Sequence, residues 1–410
     1  MRGLENYQHN INRNTLNTGN RYTNSILCSV LLMLVGISLR TFLTHTITIV
    51  WIVNLGAIIL CFGGYISRID RRVFAWCLLY ITIGILSFVV NLRYFNSSLK
   101  SIGTNANIVV LPLFLMIIES INAETPFKEE QINKILYYVS SIGFVVIAIS
   151  WITGYRDIVR VFLGQLSAYK ANSCGFFYGK NIYGAFVSFS FCADLYLYKT
   201  TTNNKRKMFL SVCIKLLAVV LSFSRAALLQ ISIATFLFLW LNGKRSARDW
   251  VILGVVFSIF VLIMRFNPTV YRFFINNVIR FSTGDAGRAT LRKLALSKVE
   301  TGPLVYIFGV GYAGIDYFGL DIDNTYLYLY FSGGFTKILF FLLVIFVSFK
   351  RILLLRVRNF YLGNLCLAVE ISYFFFAFFE SIAVLELGLL NLMFTIFMFI
   401  IPSGYANAED

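Results

Sequence analysis

The sequence predicts an all-α, polytopic integral membrane protein with about twelve transmembrane helices and one long extracytoplasmic loop. Three observations predict it. Hydrophobic residues make up 58% of the 410-residue chain, and the mean hydropathy is +0.75. Only 13% of residues are charged, about half the usual share for a soluble domain. Apolar runs long enough to cross about 30 Å of hydrocarbon, some with tilt, recur along the whole chain.

These runs fall at 25–41, 46–66, 73–92, 104–118, 133–153, 182–198, 208–222, 225–241, 250–264, 334–349, 361–380 and 385–401. A backbone in lipid must satisfy its own hydrogen bonds, so each run is expected to be a helix. No internal repeat is visible. Residues 1–24 form a polar, Asn-rich tail that enters the first run without a small-residue cleavage site, so no cleavable signal peptide is expected. The chain reads as a single membrane domain, 1–410, with a second short tail at 402–410. Residues 265–333 are the one long hydrophilic stretch.

Orientation follows from the basic residues. With the N-terminus in the cytoplasm, the cytoplasmic segments hold 19 Lys and Arg, and the opposite side holds 8 once the long loop is set aside. Long loops contribute little to the positive-inside rule. Both termini are therefore expected in the cytoplasm, with 265–333 on the outer side. The net charge of +17 is explained by cytoplasmic loops and anionic lipid, so membrane lipid is an expected partner and nucleic acid is not. The seven cysteines are scattered, with no CxxC pair, and support neither a disulfide framework nor a zinc site. Lys215 and Lys337 fall inside apolar runs. Each is expensive there, about 2.5–3.5 kcal/mol on insertion scales. Lys337 lies close enough to the start of its run to snorkel; Lys215 calls for either a polar cavity or a snorkelling route.

Basic residues on the outer side run against the topology rule and ask for a reason. Arg225 sits in LSFSRAALLQ, in a turn of almost no length between two runs. That places a guanidinium at phosphate depth, where its planar fork suits phosphate oxygens. Ser222 and Ser224 add hydroxyls, and the start of the next helix favours an anion. A lipid-headgroup anchor is the plainer alternative. The second cluster is GFFYGKNIYGAF, 175–186. Lys180 would stand at a helix N-terminus, where a cation opposes the helix dipole unless an anion is held nearby. Asn181 is expected to cap that helix, and Gly184 allows close approach of another backbone. An interfacial lysine beside an ordinary cap is the alternative.

The third cluster is in the long loop. GDAGRATLRKLALSKV, 284–299, carries Arg288, Arg292 and Lys293 on a helical apolar spacing, and could lie on the membrane surface. A glycine-rich stretch, IFGVGYAGIDYFG, follows, and then DIDNTYLYLYFSGG. Asp321 and Asp323 form a D-x-D pair, which by itself fits a metal-bound nucleotide, a general base or a solvated turn equally well.

Taken in order, these motifs resemble the O-antigen ligase and polymerase superfamily. The matching residues are Lys180-Asn181 with Gly184, Ser222 with Ser224-Arg225, Gly287-Arg288, Gly309 with Gly311, and Asp323-Asn324 with Tyr326-Leu327. The resemblance covers roughly residues 170–345. It implies a GT-C-like, metal-independent and cofactor-free membrane glycosyltransferase that uses undecaprenyl-diphosphate-linked oligosaccharides as donors. The setting implied is the bacterial inner membrane. A chain-length regulator and a flippase of the same pathway are implied partners.

Two activities share the pattern. Ligases transfer a finished glycan to lipid A-core, and Wzy-type polymerases join repeat units on the carrier. The ligase motif usually opens with His where this chain has Asp323, and its two histidines, His9 and His45, lie elsewhere. The polymerase is therefore the expected activity, with the ligase as the rival. A flippase is a second alternative, disfavoured because few charges fall within the runs. The resemblance implies Arg225 and Arg288 on the diphosphate, with Lys180 assisting. Asn181, Ser224, Arg292 and Asn324 would contact the diphosphate or glycan. Asp323 would orient or deprotonate the acceptor hydroxyl, with Glu300 and Asp285 behind it.

Overall fold

The computed structural model describes residues 71–92, 129–166, 179–201, 205–243, 302–319, 324–380 and 389–402, together with scattered residues in 24–35 and 171–177 and at 116, 293, 296, 297 and 322. Among these residues there are helices and turns and no strand. The expected runs at 46–66, 104–118 and 250–264, and most of 25–41, lie outside the described residues. So do Arg288, Arg292 and Asp323, and nearly all of 284–299.

The helices are α1 (Arg71–Val90), α2 (Glu129–Phe162), α3 (Lys180–Thr200), α4 (Lys205–Leu221), α5 (Arg225–Leu241), the short α6 (Pro303–Phe308) and α7 (Gly311–Tyr317), then α8 (Thr325–Arg358), α9 (Phe360–Phe376) and α10 (Leu389–Thr395). The last continues as a π-helical turn, Ile396–Ile400. α1, α2 and α8 are long and apolar enough to cross a membrane; α5, α9 and Leu390–Ile400 are shorter apolar helices. This is an all-α membrane-embedded protein.

α3 is the centre of the bundle. Every residue from Tyr183 to Leu197 is buried, so no face of this helix is left for lipid, whatever its hydropathy. It packs against α2, α4, α5, α9 and α10. Phe189 on α3 meets Phe394 edge-on at 4.4 Å and stacks on Phe397 at 5.7 Å. Tyr373 of α9 closes on Phe394 at 4.3 Å. Such ring pairs add about 0.5–1.5 kcal/mol beyond area burial.

Tight turns set the direction of each helix. α4 reaches α5 through Ser222, Phe223 and Ser224 alone. Phe223 has φ of +56°, the only positive φ outside glycine among the described residues. α8 passes to α9 through Asn359, which caps α9 by accepting from the Leu362 N–H at 3.1 Å. Because α3, α4 and α5 alternate in direction, the starts of α3 and α5 share one end of the bundle. The start of α8 and the finish of α9 are at that end too.

α8 departs from the hydropathy reading in a way that matters. It begins at Thr325, well before the apolar run at 334, and bends at Gly334, whose φ is +64°. The opening turns are polar and aromatic because they pack on protein rather than lipid. The bend receives the end of α6: a Cβ on Gly309 would lie 2.7 Å from the Gly334 nitrogen, and Val310 N–H donates to Phe331 O at 2.8 Å. Gly309 thus brings two backbones together, an approach that leaves no room for a side chain.

The two lysines in the apolar runs are accounted for differently than their positions suggest. Lys215 neither lines a cavity nor snorkels. It is fully buried and pairs with Asp194 at 2.6 Å. Lys337 does not snorkel either, because α8 starts earlier and carries it several turns inside. It is buried, donates to Ser332 Oγ at 3.0 Å, and lies 5.7 Å from the Tyr328 ring centre.

Candidate functional site

Three helix starts and one helix finish converge at a single end of the bundle. α3 starts at Lys180 after an extended Gly179, with no side-chain cap. α5 starts at Arg225 behind Ser224, whose Oγ accepts from the Ala227 N–H at 3.2 Å. α8 starts at Thr325 behind Asn324, whose Oδ1 accepts from the Leu327 N–H at 2.9 Å. Ser and Asn are favoured at such positions because they satisfy N–H groups that the helix cannot.

The end of α9 supplies the carbonyls that hold α8 in place. Thr325 N–H donates to Ala377 O at 2.8 Å, Asn324 Nδ2 to Phe378 O at 3.0 Å, and Thr325 Oγ1 to Glu380 O at 2.6 Å. The side chains then form a chain across the cluster. Ser224 Oγ donates to Asn181 Oδ1 at 2.7 Å, and Asn181 Nδ2 donates to Glu380 Oε1. Asn181, expected to cap α3, instead links α5 to the end of α9. Its place one residue inside the helix points the amide sideways rather than back over the first turn.

Close packing keeps this arrangement tight. A Cβ on Gly184 would come within 2.7 Å of Ala227 Cβ and 2.9 Å of Ser222 Oγ, so α3 lies directly against the start of α5. Ser222 also accepts from the Ser224 N–H at 3.2 Å, and its carbonyl accepts from Ser173 Oγ at 3.3 Å. The strained Phe223 sits in this turn, buried at 1% exposure. Holding a bulky residue left-handed costs on the order of 1–3 kcal/mol and persists only where neighbours over-determine it.

The electrostatic character of the site is cationic. Each helix start carries about half a positive charge. Lys180 and Arg225 are the first residues of two of the three starts, both half-buried. Lys180 acts on Cys174: burial pushes that thiol up from its ordinary value, while its own backbone hydrogen bond and the Lys180 charge pull the other way. Glu380 is the carboxylate bonded into the cluster. An anion with several oxygens, such as a phosphate ester, suits the uncapped N–H groups at the start of α3 and the two cations.

Of the residues expected to form a site, Lys180, Asn181, Ser224, Arg225 and Asn324 are brought to one place. Arg288, Arg292 and Asp323 lie outside the described residues. Tyr326 of the last motif donates to Phe374 O at 3.1 Å and packs on Phe378, while Tyr306 and Tyr317 are exposed. Glu380 was missed because it closes an apolar run, FFFAFFE. An acid at the outer end of a run was the available signal.

A second feature lies between α1 and α8. An apolar cavity of about 270 Å³ is lined along α1 by Trp76, Leu79, Ile83 and Ser87, and on α8 by Lys337 and Leu343. Its polar groups gather at one end, where Asn91 Nδ2 donates to Gly309 O at 3.1 Å and Ser87 Oγ to Phe308 O at 2.8 Å.

No protein-family model matches this chain, and no curated protein matches it in sequence.

Proposed function

We propose that this protein is an inverting membrane glycosyltransferase that polymerises undecaprenyl-diphosphate-linked oligosaccharide repeat units at the outer face of a bacterial inner membrane. The observation that carries the reading is the Ser224–Asn181–Glu380 hydrogen-bond chain. It joins two of the motifs that resemble the superfamily, Lys180-Asn181 and Ser224-Arg225, each with a cation at a helix start.

The chemistry fits a diphosphate leaving group. As the anomeric C–O bond breaks, charge grows on the diphosphate. Arg225, with Arg288 from the long loop and Lys180 beside it, would stabilise that charge through preorganised donors. Asn324 and Ser224 hold the helix starts whose N–H groups face the same charge. The acceptor hydroxyl attacks the opposite face of the sugar, and its proton passes to a carboxylate. The cavity between α1 and α8 supports a lipid-linked substrate, since its lining is mostly apolar and includes Lys337.

The test is the surface glycan of a deletion strain complemented with the wild type or with Arg225→Ala. A ladder of repeats from the wild type, and a single repeat unit from the variant at equal protein level, is the expected result. Loss of all glycan from lipid A-core in the deletion, with long glycan retained on the carrier, would make the protein a ligase instead. A full ladder from Arg225→Ala would remove the proposed site.

A further inference from the structure

We infer that the cavity between α1 and α8 holds a segment of the isoprenoid chain of the lipid-linked substrate, with the head of the lipid toward the start of α8. The inference rests on the polymerase reading and adds to it the place and direction of the chain.

The two helices run antiparallel. Asn91, just past the end of α1, reaches Gly309 O beside the bend of α8, and Tyr80 meets Phe340 at 4.4 Å further along. The lining follows that order. Asn91, Ser87, Ser332 and Thr336 stand at the end nearer Thr325, and Trp76, Leu79, Leu339 and Leu343 at the other. From Ser332 to Leu343 the helix rises about 16 Å. That is about half of the hydrocarbon layer, the depth of one leaflet.

The walls select hydrocarbon. Ser87 Oγ donates to Phe308 O, Asn91 Nδ2 to Ser87 O and Gly309 O, Ser332 Oγ to Leu329 O, and Thr336 Oγ1 to Gly333 O. These side chains turn their donors onto the protein, and most of the remaining wall is alkyl or aromatic. An alkyl chain can enter without breaking any of these bonds. At about 270 Å³ the cavity is smaller than the roughly 300–1,000 Å³ of whole-ligand pockets, so it takes a segment of chain and not an entire lipid. Trp76, Leu79, Leu339 and Leu343 are also exposed, which leaves the far end open to the bilayer among the described residues.

Alignment favours the substrate over a bulk phospholipid. The candidate site, the bend and the cavity succeed one another along α8. Thr325 to Ser332 is about 10 Å of helix. A lipid whose diphosphate lies at the helix starts therefore has the next part of its chain at the cavity, where Gly311 lines the mouth.

The experiment places the full chain in proteoliposomes of phosphatidylethanolamine and phosphatidylglycerol and adds undecaprenyl diphosphate bearing a diazirine in its chain. Photolysis should label α1 and α8 around Gly84 and Leu339, and excess undecaprenyl phosphate should remove the label. Gly84→Leu fills the cavity, and leucine is a better helix former than glycine, so the helix is kept. It should cut labelling, and raise KM for the undecaprenyl-linked repeat unit, by about tenfold or more, since each displaced methylene costs several-fold in affinity. Its kcat and melting should stay near wild type. Ile85→Phe, on α1 but outside the cavity lining, should change neither readout. Wild-type labelling and KM in Gly84→Leu would overturn the chain site. So would label confined to other segments, such as 46–66 or 250–264. A phospholipid with a diazirine in its acyl chain that labels the same residues and resists undecaprenyl phosphate would overturn it too, in favour of an acyl-chain site. Label as expected, with no polymer from the wild type, would remove the polymerase reading and leave the chain site standing. Polymer formed with wild-type KM by Gly84→Leu would do the reverse.

Discussion

Asp194 and Lys215 meet at 2.6 Å in the middle of the bundle, both fully buried, with Ser211 bonded to the same carboxylate and Ser140 accepting from the amine at 2.8 Å. Asn181 and Glu380, both half-buried, meet the buried Ser224 at the helix ends, with uncapped or side-chain-capped N–H groups around them. Both clusters join α3 to its neighbours, yet they differ in what they leave over. The buried pair is closed on itself by opposite charge, with Phe144 against the amine at 4.8 Å. The cluster at the helix ends sets two cations at helix starts beside one carboxylate. A sealed pair is suited to fixing helix positions. An open cationic cluster is suited to binding and chemistry.

The largest effect should come from breaking the sealed pair. Asp194→Asn leaves Lys215 without its countercharge, which should cost about 3–5 kcal/mol. Loss of folded protein from the membrane and a lower melting temperature would register it. Replacing both, Asp194→Leu with Lys215→Met, should recover most of the stability, because the uncompensated charge is gone. Failure of the double variant to recover would mean that the pair does more than neutralise charge.

At the helix ends the pattern should reverse, with activity lost and stability kept. Arg225→Ala should lower polymer formation by about 100-fold or more, the scale of one preorganised donor, without a change in melting. Between the extremes stands Gly184→Ala. Its new Cβ presses on Ala227 and Ser222, so it should cost about 1–3 kcal/mol of stability and also displace Asn181, lowering turnover. Ser224→Ala removes both the cap of α5 and the bond to Asn181, with an expected loss of about 1 kcal/mol and a modest fall in rate. The smallest effect concerns Cys174. Buried, with its thiol pushed up by burial, it stays protonated at neutral pH and should resist maleimide. Cys28, exposed near the start of its apolar run, should label before Cys174.

How much of this was legible in the sequence depends on what each residue contacts. The helices at α1–α5 and α9 lie close to the apolar runs, since lipid and core impose one hydropathy signal. α8 was truncated in that reading because its opening turns face protein and tolerate Thr325, Tyr328 and Ser332. The motif residues Lys180, Asn181, Ser224, Arg225 and Asn324 were found by their order and by basic residues on the unexpected side. Their hydrogen-bond partners were not, because pairing depends on tertiary contact. Asp194, Glu370 and Glu380 escaped for one shared reason: acids inside or ending apolar runs were not weighed as the lysines were. Glu370 is fully buried on α9, with no hydrogen-bond partner for either carboxylate oxygen among the described residues.

The most direct test measures turnover per folded molecule for Arg225→Ala beside the Asp194→Leu/Lys215→Met double variant, in the same proteoliposomes. The account predicts wild-type melting and almost no polymer from the first. From the second it predicts near wild-type turnover for each molecule that folds. An active Arg225→Ala enzyme, together with a folded but inactive double variant, would contradict it and move the chemistry from the helix starts to the centre of the bundle.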